Sequence, residues 1–323
     1  IKVNNLNQQF YKNYIIENND KSIIIKDLYN LENVIEYKLN DIKGVTKVIF
    51  NNPILVIMSK PEGEIDTFIY LINYKKNNIF PYIISNNSNE NITEFFDFFE
   101  DNLIFITKSI DKNIIYCINF NDSDEVNNIK KIIFTDEIKK MKVSRNFLAI
   151  KSIKNEIIIY DIEDCKAIIS FTDENIIDFD IKYNLLVVLL SEDINSINIY
   201  EIKPEFELIN RKQIKEIEVD SQINIGSGKI VINDKDNSYL FNYDKNNGIR
   251  KIDSFKYKLE HYYENLLLIN QKENYQVYKI TPNVNYIDNM INCFSTLDKI
   301  SLTKNQKKKD VYVNIFFRVN NKS

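Results

Sequence analysis

Short apolar runs alternate with polar turns along the whole chain, and the alternation repeats about every forty residues. In each copy an apolar run is followed by a polar turn. A β-branched run then ends in a recognisable triplet. The triplets are Lys26-Asp27-Leu28, Ile72-Asn73-Tyr74, Ile118-Asn119-Phe120, Tyr160-Asp161-Ile162, Tyr200-Glu201-Ile202, Phe241-Asn242-Tyr243 and Tyr278-Lys279-Ile280. Their last positions are 46, 46, 42, 40, 41 and 37 residues apart. Several short strands repeated at this period predict an all-β fold, a β-propeller of four-stranded antiparallel blades.

The fourth copy is the clearest. Residues 141–146 predict an inner strand and its corner, 147–151 a second strand, 157–162 a third and 166–171 an outer one. The fifth repeats this grammar at 177–181, 185–190 and 197–202. The unbroken apolar run at 185–190 suits a strand buried on both faces between neighbouring blades. Runs at 54–58, 103–107, 229–233 and 266–270 precede the other triplets. A helical alternative fits poorly, because the runs are short, β-branched and not at helical spacing. Residues 93–102 are the most helix-like stretch, yet they fall in the inner-strand slot of the third copy. A last hairpin at 299–318 either closes the ring or forms an extra blade, and seven blades are preferred to eight. The expectation is a single domain over 1–323.

Composition adds less. The chain has 323 residues, 44% of them apolar, enough to bury a core without staples. Only 5 Gly and 5 Pro are present, so the abundant Asn is expected at the turns, where it tolerates left-handed backbone. The excess of Asn, Ile, Lys and Tyr with no Trp reads as the product of an AT-rich genome, which weakens compositional arguments about function. Net charge is −4, and only Arg145, Arg211, Arg250 and Arg318 are arginine, which argues against a dedicated nucleic-acid binder. Cys117, Cys165 and Cys293 are scattered without a CxxC pair, so no zinc or disulfide framework is expected and a reducing compartment is. Sequons at Asn86, Asn91 and Asn121 are chance products of an Asn-rich chain. No apolar run reaches membrane-spanning length. The first residue is Ile, so a fragment or processed product is expected, with no signal peptide in what remains.

Residues 156–171, with Tyr160-Asp161 in the place of Trp-Asp, resemble the end of a WD40 repeat. The Gly-His dipeptide that such repeats carry is absent, since Phe171 is followed by Thr172-Asp173-Glu174. Within that class, residues 138–171 are similar to the third blade of the PROPPINs, propellers that bind phosphoinositides. That resemblance implies lipid sites beside a Phe-Arg-Arg-Gly motif. The nearest segment here is Phe255-Lys256-Tyr257-Lys258, with neither Arg nor Gly.

Candidate chemistry is sparse. His261 is the only histidine, so any His-based triad must pass through it, and Leu259-Glu260-His261-Tyr262-Tyr263 carries no nucleophile motif. It is expected at a blade edge or on an inner strand, bonded to a neighbour. Gly226-Ser227-Gly228 leads into a strand and reads as a turn. Asp178, Asp180, Glu192 and Asp193 are expected to be solvated or corner residues. No cofactor or metal is implied, and the chain is read as no enzyme. Four lysines lie within 304–309 and read as a solvated turn. Arg250, Lys251, Lys256 and Lys258 are candidates for contact with anionic lipid. The reading is a non-catalytic scaffold for other proteins of a complex, intracellular in the cytoplasm or nucleus. A PROPPIN-like peripheral membrane propeller is the alternative, and a hydrolase or lyase using channel carboxylates a third reading.

Overall fold

The computed structural model describes residues 8–281 apart from 20, 31, 41, 64–66, 76–77, 85–90, 100–101, 109–111, 120–127, 193, 215–216, 218–219, 227, 257–258, 264–265 and 272–273, together with 300–303 and 311–316. The described strands form seven antiparallel sheets in chain order. The first holds β1 (Gln8–Tyr11), β2 (Tyr14–Asn18), β3 (Ser22–Asp27) and β4 (Val34–Lys38). The second holds β5 (Val45–Asn51), β6 (Ile54–Ser59), β7 (Thr67–Asn73) and β8 (Asn78–Ile84). The third holds β9 (Asn91–Phe99), β10 (Asn102–Lys108), β11 (Asn113–Asn119) and β12 (Asn128–Phe134). In the fourth are β13 (Ile138–Ser144), β14 (Phe147–Ser152), β15 (Glu156–Asp161) and β16 (Lys166–Thr172). In the fifth are β17 (Ile176–Lys182), β18 (Leu185–Leu190), β19 (Ser196–Glu201) and β20 (Glu207–Gln213). The sixth has β21 (Gln222–Ile225), β22 (Lys229–Asn233), β23 (Ser238–Asp244) and β24 (Gly248–Phe255).

The seventh sheet begins with β25 (Leu259–Tyr263), β26 (Leu266–Gln271) and β27 (Asn274–Thr281). Its outer positions are taken by the C-terminal hairpin, β28 (Ile300–Thr303) and β29 (Val311–Phe316), with β29 paired to β27. That hairpin therefore makes no sheet of its own. The helix-like stretch at 93–102 is strand β9 over most of its length.

Period-two alternation explains why the sheets stand face to face. Along β18, Leu186, Val188 and Leu190 pack on the fourth sheet, while Val187 and Leu189 pack on the sixth. A strand with both faces covered must be apolar at every position, as the run at 185–190 is. The same division holds in β14, where Leu148 and Ile150 face the third sheet and Ala149 the fifth.

Each consecutive pair of sheets shares one such cluster, and the seventh sheet returns to the first through Leu266 and Leu268 against Ile15 and Leu28. The first strands of sheets two to six lie side by side in order, β5 on β9, β9 on β13, β13 on β17 and β17 on β21. They line the axis of the ring.

The recurring triplet has a geometric cause. Its last residue donates its backbone N–H to the corner joining the first two strands of its own sheet. Leu28 donates to Asn13 O (2.7 Å), Ile162 to Asn146 O (2.7 Å), Ile202 to Asn184 O (2.9 Å) and Tyr243 to Gly228 O (2.9 Å). Its middle residue caps the turn that follows. Asp27 Oδ1 accepts from Tyr29 N and Asp161 Oδ1 from Glu163 N, at 2.9 and 3.0 Å. Such short polar side chains bond their own backbone two residues on. No Gly-His partner is needed for either bond.

Adjacent residues of β15 test two seams separately. Ile159, wholly buried, faces the fifth sheet, and Tyr160 faces the third. Ile159→Asp and Tyr160→Asp each bury an unpaired carboxylate and are expected to cost about 4 kcal/mol or more. Chemical denaturation should show loss of the cooperative transition, and unchanged midpoints would contradict the assigned seams.

Candidate functional site: the central channel and its mouth

Among the described residues, inner strands β13 and β17 carry charged side chains toward the axis. Lys140 and Lys142 stand on β13, two residues apart and so on one face of the strand. Opposite them on β17, Asp178 receives Lys140 Nζ at 2.7 and 2.8 Å on its two oxygens, and Asp180 lies 3.8 Å from Lys142 Nζ. The carboxylates also reach across to the next strand: Asp178 Oδ2 accepts from Ile223 N and Asp180 Oδ2 from Ile225 N, both at 2.8 Å. One level further along, Ser144 Oγ accepts from Tyr183 N at 2.6 Å. Innermost strands have one ladder edge without a sheet partner, and these side chains supply it with acceptors.

This corrects the expectation for Asp178 and Asp180. Both are 7% exposed, ion-paired and bonded to backbone, not solvated. Glu192 does sit at the surface, paired with Arg211. Asp193 lies outside the described residues.

Further groups join this network from across the ring. Tyr11 of the first sheet donates its hydroxyl to Asp97 Oδ1 of the third at 2.9 Å. Asp180 first, and Asp97 with it, hold the Lys142 ammonium above its ordinary range against the opposing effect of burial. Burial pulls Lys140 down in spite of Asp178. The Lys142 side chain remains 34% accessible although it stands inside the ring.

His261 is on inner strand β25, with Nε2 2.6 Å from Lys12 O and its ring stacked on Phe10. It is the neighbour-bonded inner-strand residue the sequence predicts, and it ties the seventh sheet to the first. Burial lowers its pKa.

No protein-family model matches the chain, and no curated protein matches its sequence. Solved structures match its fold. Kluyveromyces lactis Hsv2 aligns with a TM-score of 0.50 and 14% identity over 76% of this chain and 84% of that one. K. marxianus Hsv2 gives 0.53 and 11% over 87% and 93%. A chain of the mitotic checkpoint complex gives 0.53 and 12% over 85% and 89%. The chain folds as a β-propeller similar to these structures. Each of the seven described sheets has the antiparallel form of a propeller blade. At these identities the likeness extends to the fold and no further.

Among the described residues, the lipid candidates Arg250 and Lys251 do not share a face. Arg250 and Lys251 are consecutive on outer strand β24, facing Asn242 and Phe241 of β23, so their side chains leave opposite faces. Lys251 Nζ lies 4.6 Å from the Tyr239 ring centroid, and Arg250 lowers the pKa of Asp244 as a minor contributor after backbone and side-chain hydrogen bonds. Lys256 is exposed just past the strand. Lys258, Cys293 and the 304–309 lysines lie outside the described residues. As expected, Gly226 and Gly228 shape the turn between β21 and β22, Gly228 at φ 66°. Among the described residues no group of three or more His, Cys, Asp or Glu could hold a metal ion, and no helix is long and apolar enough to cross a membrane.

The channel lysines escaped the sequence reading, although one signal was present. Lys140 and Lys142 precede Asp178 and Asp180 by 38 residues each. Opposite charges recur at equivalent positions of consecutive repeats.

A third lysine behaves differently. A β-bulge between Ile176 and Asp178 interrupts the pairing of β17 with β18. Lys151 of the preceding blade donates to Ile176 O and Ile177 O, each at 2.7 Å, and is 5% exposed. Burial pulls its pKa down to about 8 from 10.5. The unfolded chain then binds more protons between these two values, so stability rises with pH across that window and is lower below it. Lys151→Met should remove this part of the rise. Equal slopes of unfolding free energy against pH in both proteins would refute the assignment.

Cys117 and Cys165 are free thiols packed in the seam between blades three and four, Cys165 Sγ donating to Ile162 O at 3.5 Å, and burial pushes both up. Dithiothreitol is expected to leave the Tm unchanged, and a fall of several degrees would reveal a structural disulfide.

Proposed function

We propose that this propeller is a non-catalytic scaffold that binds other proteins of an assembly. One observation carries the reading. The channel carboxylates Asp178 and Asp180 are engaged by lysines and by the backbone of the next blade, so neither is poised to move a proton for a substrate. What the fold then offers is a rigid frame presenting turns at its two faces, where contacts form with little reordering. An intracellular location, cytoplasmic or nuclear, belongs to the same reading. So does the absence of a cofactor.

Anionic lipid is the second reading, drawing on the fold likeness to Hsv2 and on exposed Arg250, Lys251 and Lys256. The opposite-facing side chains of Arg250 and Lys251 weigh against a single headgroup site. Affinity purification from the native organism, followed by size exclusion and mass spectrometry, separates the two readings. Stoichiometric protein partners that stay bound through a salt wash are expected. Recovery of the propeller alone, with sedimentation on phosphoinositide vesicles and not on neutral ones, would replace the scaffold by the lipid binder.

A further inference from the structure

Two of the three cysteines come from consecutive repeats, and the ring brings them to one seam. Cys117 is on β11, and alternation puts it on the same face as Ile115. Both belong to the core between blades three and four, with Ile104, Ile132 and Tyr160. Cys165 stands in the turn between β15 and β16 and packs against that same core from blade four. Its Sγ donates to Ile162 O of its own turn at 3.5 Å, and both thiols are free.

A lysine joins the two. Lys130 is the partner of Cys117 across β11 and β12, and its Nζ donates to Glu163 O, in the turn that carries Cys165. The bond ties the outer strand of blade three to the thiol-bearing turn of blade four. Electrostatics report the same closeness. Burial raises the pKa of both thiols; Cys165 adds to the rise at Cys117, and Cys117 offsets it at Cys165. The Lys130 charge lowers both. One ammonium acts on two thiols that also act on each other.

The three groups differ in access. Cys117 is 3% exposed, Cys165 is half-buried and Lys130 is exposed. A reagent in solution therefore meets Cys165 first, with Cys117 behind it. An accessible thiol backed by a second one is the arrangement that exchange with a small disulfide requires.

We propose that Cys117 and Cys165 are a site of reversible oxidation that takes a small-molecule disulfide, such as oxidised glutathione, and cross-links blade three to blade four. The Cys165 thiolate attacks one sulfur of the glutathione disulfide. A bond from Cys165 to glutathione forms, and one glutathione leaves with the proton that Cys165 gave up. The Cys117 thiolate then attacks Sγ of Cys165, and the second glutathione leaves as its thiol. Two protein thiols are oxidised, and one glutathione disulfide is reduced to two glutathiones. Lys130 favours the thiolate in both steps. In a reducing compartment such cross-links are transient. While it lasts, this one fixes a seam of the ring covalently.

The test uses the reduced full chain carrying Cys293→Ser, which removes the cysteine outside the described residues. It is incubated with oxidised glutathione and followed by intact mass, peptide mapping and thermal melting. The expected product is lighter by two hydrogens and maps to a Cys117–Cys165 cross-link. It melts several degrees higher, and dithiothreitol restores the starting mass and Tm. Burial holds both thiols above the ordinary value of 9, so the rate should rise about tenfold per pH unit up to pH 9, where an ordinary thiol levels off. Lys130→Gln, which keeps a donor for Glu163 O, should slow the cross-link severalfold. Cys117→Ala should stop at the glutathione adduct of Cys165, and Cys165→Ser should leave Cys117 unreacted. The cross-link itself is read on the chain that keeps both cysteines, so a destabilised variant does not decide the outcome. A lasting glutathione adduct on that chain, or no reaction of the folded protein, overturns the proposal.

Discussion

Everything in this fold depends on every sheet being covered on both faces, which only a closed ring provides. A central strand such as β18 sends alternate side chains into two different seams. Neither seam can be opened without exposing a continuous apolar face. The condition is hardest to meet where the chain ends meet. Among the described residues, that seam holds the buried side chains of Ile15, Leu28, Leu266 and Leu268, and no strand is exchanged between the first and seventh sheets. Closure among these residues is made by side-chain packing, with the His261 ring against Phe10 and its Nε2 on Lys12 O beside it.

The closed ring creates the electrostatic problem that the channel solves. Seven innermost strands each present one ladder edge toward the axis or a neighbour, and an unmatched N–H there is costly when dry. Asp178 and Asp180 act as acceptors for the N–H groups of β21, and Lys140 and Lys142 balance their charge. Buried ion pairs gain little against the desolvation of both partners. The gain here comes from the backbone they satisfy and from the fixed register between three neighbouring inner strands. Lys151 does the reverse at the bulge of β17, donating to carbonyls that the irregular pairing leaves over.

The same residues separate what could be read along the chain from what could not. The triplet was legible because its chemistry is local: a strand end, a short polar cap and an apolar residue that bonds back to its own corner. Tyr160-Asp161 looked like a stand-in for Trp-Asp, yet Asp161 caps its own turn and pairs with Lys203 of the next blade. Arg250 and Lys251 looked like a cluster because they are adjacent, and adjacency in a strand sends them to opposite faces. Asp178 and Asp180 looked like surface carboxylates because alternation alone cannot tell an outward face from one turned to the axis of the ring.

The sequence by itself determined the strands, their antiparallel order within each sheet and the apolar division of strands such as 185–190, all consequences of period-two patterning and local turn chemistry. Tertiary structure alone decided what faced the axis, which lysine met which carboxylate thirty-eight residues on, and where the C-terminal hairpin paired. Those outcomes depend on the angle and order in which whole sheets pack around a ring. That geometry is set by all seven seams together, and no short segment of the chain encodes it.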